Sequence, residues 1–389
     1  GRHGQPADPA GERRGDEEGG GQAVETTVLA VLAFVAGALL VATTVLSAIM
    51  TLVVPRALPV AITRWVFTGM RALFRLRGGR ARSFQARDRD LALYGPLSLF
   101  TLAATWLVLT GTGYVLMYWA LGERPLRRSL ILSGSSVFTL GFEVPPNLPT
   151  TVLAFSEAGF GLVLLAMVIS YLPSMYQSFQ RREAAVAALD VRANTPPTAK
   201  AMLIRSSIIG GWRPLEALWR EWETWFVDIT ETHTSLPALV FFRSPHWEHS
   251  WVTASGAVLD GASLLASTVD RPRSPSAELC IRAGYVALRR IADFFDVVHN
   301  PDPHWPEEPI SIDRREFDQV CRELAEAGVP LKADLDQAWR DFAGWRVNYD
   351  RVLLALAELT MAPYAPWSSD RSMIERNGRR HHRRSRARA

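Results

Sequence analysis

Three stretches of this chain contain no Asp, Glu, Lys, Arg or His: Thr26–Pro55, Leu91–Leu121 and Ala158–Gln180. Over such lengths this absence argues against ordinary soluble helices, which keep a polar face toward water, and against three buried core helices for the same reason. Each stretch exceeds the roughly 20 apolar residues that cross about 30 Å of hydrocarbon as a helix. Cysteine is scarce, with two in 389 residues, and Cys280 and Cys321 are too distant in sequence to read as a motif. Alternating apolar and polar runs long enough for a sheet are missing. The Gly-x-Gly-x-x-Gly turn of a nucleotide fold is missing too, since Gly159-Phe160-Gly161 falls inside the third apolar stretch. No Ser-His-Asp order, nucleophile elbow or phosphate loop occurs. The sequence therefore makes no positive case for an enzyme and implies no cofactor.

One local group carries metal-ligand residue types, His246-Trp247-Glu248-His249, with His233 or Asp260 as outside partners. Its spacing is loose and no second half of a motif follows, so it reads as loop histidines and no metal site is expected.

What is present divides the chain into segments. Residues 1–25, rich in Gly, Pro, Glu and Asp, read as a disordered tail. Residues 26–55 read as a first span; the apolar stretch is too long for a signal peptide and acidic residues precede it. Residues 56–90 hold nine arginines against Asp88 and Asp90. The positive-inside rule places this segment in the cytoplasm, with the N-terminus and residues 122–150 outside and everything after Arg181 inside. Within it Arg64, Arg71 and Arg75 share a helical face while Val60, Trp65, Phe67, Met70, Leu73 and Phe74 fill much of the rest, which predicts a helix lying flat on the inner headgroup layer.

Residues 91–183 read as helix, pore loop and helix. Leu126–Phe138 gives a short pore helix, and Ser133 to Glu143 runs on from it between two spans. Its negative dipole end favours a cation. Extended backbone at membrane depth is tolerated only where it lines a water path within protein. Thr139 supplies a hydroxyl and a carbonyl, Gly141 admits a left-handed conformation, and Phe142 packs outward to brace the loop. Gly159 and Gly161 lie where an inner helix bends, and Pro173 removes a helix hydrogen bond near the other end. Glu157, at the outer end of the third span, is a functional candidate, and Ser156 and Glu157 are placed to brace the loop from behind.

On these residues the segment resembles the potassium-channel pore superfamily, from Leu91 to about Glu183. The family filter reads Thr-Val-Gly-Tyr-Gly; here it is Thr139-Leu140-Gly141-Phe142-Glu143, with Glu143 in place of the second glycine. The resemblance implies a filter of backbone carbonyls taking potassium or another monovalent cation, and one pore loop per chain implies a homotetramer. Two readings of Glu143 stay open: an acidic ring at the outer mouth, or a fold kept without conduction.

Residues 184–367 read as a mainly helical cytoplasmic domain. Helices are expected over 214–232, 250–268, 276–298, 313–327 and 333–360, with Trp219, Trp222 and Trp225 as a core or subunit stripe. Parts of this region, from His233–Pro237 through Phe242–Ser244 and Ser250-Trp251, are similar to bacterial ion-channel-like membrane proteins and imply no ligand. Residues 368–389 are expected to be a disordered basic tail; Arg371–Ala389 holds eight arginines and suits anionic lipid, with no nucleic acid expected. The fold expected is an all-α multi-pass cell-membrane protein of three transmembrane helices with a re-entrant pore helix and loop, plus the helical domain. The function expected is passive cation conduction. The alternatives are a non-conducting sensor or scaffold, and a membrane-anchored hydrolase using the cytoplasmic histidines and acids.

Overall fold

The structure, a computed structural model, describes residues 9–54, 61–78, 91–209 and 211–371. Twelve α-helices occur among these residues: α1 (Pro9–Leu52), α2 (Ala61–Gly78), α3 (Tyr94–Ala120), α4 (Leu126–Val137), α5 (Leu148–Ala193), α6 (Ala199–Ile209), α7 (Arg213–Ser235), α8 (Trp251–Thr268), α9 (Pro275–Phe294), α10 (Arg314–Glu326), α11 (Leu335–Arg346) and α12 (Asp350–Leu359). No strand forms among them; one antiparallel bridge links Val269 and Leu331. Three helices are long and apolar enough to cross a membrane: Glu25–Leu52 of α1, then α3 and α5. Their outward faces are apolar. Val31, Leu32 and Leu39 on α1, Phe100 and Val108 on α3, and Phe155 and Leu162 on α5 all stand exposed. Apolar surface on this scale calls for lipid or a partner to cover it.

The chain divides into two compact units, residues 1–54 with 100–171 and residues 55–99 with 172–389, so the divisions fall inside α3 and α5. In the first unit Val41, Tyr114, Met117, Tyr118 and Leu132 form a small core, with Phe34 and Leu153 packed against it. Trp106 Nε1 donates to Ser47 Oγ at 3.2 Å, tying α3 to α1. Residues 9–25, expected without structure, are helical as part of α1. Extending an existing helix needs no new nucleus, which offsets the glycines there; residues 1–8 lie outside the described residues.

In the second unit α8 is the central helix, with nearly every residue buried. Its small side chains let α6, α9, α11 and α12 approach it. Trp219, Trp222 and Phe226 of α7 fill the core beside it, as the tryptophan spacing suggests. Helix α2 joins the same core: Phe67, Met70 and Phe74 pack onto it, and the Tyr94 hydroxyl donates to the Phe67 carbonyl at 3.0 Å. The helix expected to lie flat on the headgroup layer thus turns part of its apolar face to this core, while Trp65, Leu73 and Leu76 remain exposed. The 333–360 segment, expected as one helix, breaks into α11 and α12 at 347–349. There Arg346 and Asp350 are both buried and paired, and the break lets Tyr349 reach Asp260. The domain continues past 367: Arg371 bonds Glu316, while 372–389 lie outside the described residues. Both cysteines are free and buried, and burial pushes their thiols up, Cys321 to about 12, so both are unreactive.

Candidate functional site

The loop between α3 and α5 is built from its ends inward. Gly122 turns the chain with a φ of 96°, and Pro125 precedes the first turn of α4. At the other end of α4 the Thr139 N–H donates to the Ser136 carbonyl (2.9 Å) and the Leu140 N–H to the Ser135 carbonyl (2.8 Å). This pair of bonds is a Schellman cap with Thr139 in its left-handed position, φ 53°. Glycine usually holds that position, and a branched threonine there costs about 1–2 kcal/mol. Two residues on, Gly141 is left-handed again, φ 71°. The Glu143 N–H donates to Ser135 Oγ at 3.2 Å and draws the loop back over α4. Asn147 Oδ1 then accepts from the Thr150 N–H (3.1 Å) and starts α5.

Behind the loop sits Glu157, fully buried. Ser133 donates to its Oε1 at 2.5 Å and Tyr118 to its Oε2 at 3.0 Å, so one carboxyl joins α3, α4 and α5. The neighbouring Ser156 shares a 2.9 Å hydrogen bond with Tyr114. Glycine at 161 is a steric requirement, because a Cβ there would sit 2.4 Å from the Val137 carbonyl oxygen. Gly159 faces open space instead. The two glycines therefore do different things, and Gly161 serves close packing. Pro173 lies inside α5 beside the division between the two units.

The filter-like residues are not packed into the single chain. Leu140 is 62% and Phe142 63% exposed, so Phe142 braces nothing within one chain. Glu143 lies 3.8 Å from Arg128 Nε, which also pairs with buried Glu123 at 3.1 Å. That shared arginine offsets part of the charge an acidic ring would need.

In the second unit the lower end of α5 is anchored by Arg182, 1% exposed. It donates to Glu183 Oε1 (2.8 Å), to the Leu239 and Phe242 carbonyls (2.8 and 2.6 Å), and to His233 Nε2 (3.3 Å). In the sequence Arg182 marks no more than a headgroup boundary. Its one available signal is its place as the second of two arginines after a charge-free run. The metal-ligand types are dispersed: His249 pairs with Asp190 at 2.7 Å, His233 with Arg182, and Asp260 with Arg346. No group of three His, Cys, Asp or Glu able to hold a metal forms among the described residues. No protein-family model, curated protein or solved structure matches this chain.

Proposed function

We propose that this chain is one subunit of a passive cation channel that takes potassium, four copies placing their 139–142 backbones around a shared axis. The short helix α4 is then a re-entrant pore helix, and the helical domain acts on the pore through α5. The supporting observation is the backbone after α4, left-handed at Thr139 and again at Gly141; alternation of this kind is what a filter loop needs to turn its carbonyls toward one axis. The Glu157 bonds fix α4, from which that loop runs on, to α3 and α5. Exposed Phe138, Leu140, Phe142 and Val144 supply apolar surface for neighbouring copies to cover. Pro173 is the gate residue in this reading, and Arg182 transmits movement of the domain to α5.

Two observations favour a second reading, a non-conducting scaffold. The Schellman cap alone accounts for the left-handed Thr139, and Glu143 stands where a second filter glycine would be. Purified protein in liposomes separates the two. The channel reading expects a potassium flux that Gly141→Asp abolishes while the protein remains folded. Absence of flux under every ionic condition and pH tried overturns it in favour of the scaffold.

A further inference from the structure

Helix α2 has two faces, and the fold accounts for one of them. Phe67, Met70 and Phe74 pack into the core of the helical domain, and Arg71 Nη2 donates to the Glu358 carbonyl at 3.2 Å. Every residue described as exposed on α2 falls at 61, 64, 65, 68, 69, 72, 73 or 76, a rhythm of three and four that marks a second face. This face is apolar where a water-facing helix carries charge. Trp65 is 71% exposed and Leu76 70%, and Leu73 is exposed between them. The charged residue described on it is Arg64, which comes no nearer than 3.9 Å to Asp296; both side chains stand mostly in the open, so water screens the pair.

Two observations bring this face to a bilayer surface. The first is what α2 packs against. The Tyr94 hydroxyl bonds the Phe67 carbonyl, and Tyr94 opens α3, one of the helices long and apolar enough to cross a membrane. The Phe241 ring centre is 5.5 Å from that of Phe67. The next residue, Phe242, lies against Gly95 of α3 and 6.0 Å from Phe179 of α5, two residues ahead of Arg181. Helix α2 therefore sits where two apolar runs end.

The second is charge. Helix α2 carries four arginines and no acid. A second copy laid on this face would bring arginine against arginine, whereas a layer of anionic headgroups complements it. A helix with tryptophan and leucine on one face and arginine beside them lies along such a layer. We infer that the exposed face of α2 docks on anionic phospholipid, with Trp65, Leu73 and Leu76 at the boundary of headgroups and acyl chains and Arg64 on a headgroup phosphate. Because the other face of α2 belongs to the core of the helical domain, this contact ties that domain to the bilayer. The surface is independent of whether the loop after α4 conducts ions.

Bromine quenching on the full chain in bilayers tests it. Both native cysteines are buried, so a bimane fluorophore reacts at one introduced cysteine. Ala72→Cys places it on the exposed face of α2. Leu279→Cys is the reference, exposed on α9 about 24 Å along that helix from Phe295, which meets Phe241 beside α2. The bilayers mix phosphatidylglycerol and phosphatidylcholine equally, with brominated chains on one or the other. The label at 72 is expected to be quenched by both, at least twofold more by brominated phosphatidylglycerol, and the label at 279 by neither. Arg64→Glu, an exposed substitution that leaves the core intact, is expected to remove most of that preference. An unquenched label at 72, as on a face turned to water or to a second copy, overturns the inference. Equal quenching by the two lipids, equal quenching at 72 and 279, or a preference that Arg64→Glu leaves unchanged overturns it as well.

Discussion

Glycines 159 and 161 are two residues apart on α5, yet substitution at each has the opposite expected sign. Alanine at 161 drives a methyl group to 2.4 Å from the Val137 carbonyl oxygen, a backbone atom that cannot move alone. Overpacking of this kind costs about 1–3 kcal/mol. Alanine at 159 meets nothing within 4 Å and gains the roughly 1 kcal/mol by which alanine exceeds glycine in a helix. Melting in detergent is expected to show Gly161→Ala lowered and Gly159→Ala unchanged or raised. Equal effects would mean that α5 does not rest on the end of α4. Sequence alone groups the two as bend points, because a glycine shows where a side chain is missing and not what approaches it. Thr139 is harder still. Gly141 announces a left-handed residue, but nothing in a threonine does; its conformation follows from where α4 stops.

At the level of elements, a buried cluster joins α5 to α7 and to the turn at 237–241. His233 of α7 accepts from Arg182, which also holds Glu183 and two backbone carbonyls. Burial lowers the His233 pKa well below its ordinary value, the Arg182 charge adds to this, and a bond to the Ile229 carbonyl opposes it. The folded chain therefore keeps this imidazole neutral, whereas the unfolded chain takes up a proton near pH 6.5. The stabilisation is complete above about pH 6.5 and declines as pH falls below it, toward the lower folded pKa. The melting midpoint is expected to drop between about pH 6.5 and 5, and His233→Gln to flatten that part of the profile. Parallel profiles for the two proteins would remove His233 as the cause. Elements of this domain are largely legible from apolar periodicity: α8 and α10 begin one residue after the 250 and 313 expected, with Ser250 and Asp313 as their caps. The break at 347–349 is not, since it is fixed by pairing of Arg346 with Asp260, far away in sequence. The apolar face of α2 is legible, but periodicity cannot name what a face packs against.

For the whole molecule, the three apolar stretches are the clearest message in the sequence, because a helix of that length without a charge has no polar face to turn toward water. The proposal of a fourfold assembly comes from resemblance alone, and the exposed loop gives it a physical motive. Val144 is 77% exposed and lies on the same loop as exposed Leu140 and Phe142. Such side chains are costly in water and have no partner within one unit to cover them. If four copies close around this loop, light scattering with the detergent contribution subtracted is expected to give a protein mass of about four times 43.2 kDa. Val144→Asp places a charge on surface that a single chain leaves open, so the subunit should fold with an unchanged helix content while the assembly loses mass toward one copy. A wild-type mass of one or two copies excludes the fourfold arrangement directly. A tetramer that Val144→Asp leaves intact places its contacts elsewhere and separates assembly from the 138–144 loop. The mass of the assembly and the flux it carries are then independent quantities, and a fourfold particle without flux is what the scaffold reading requires.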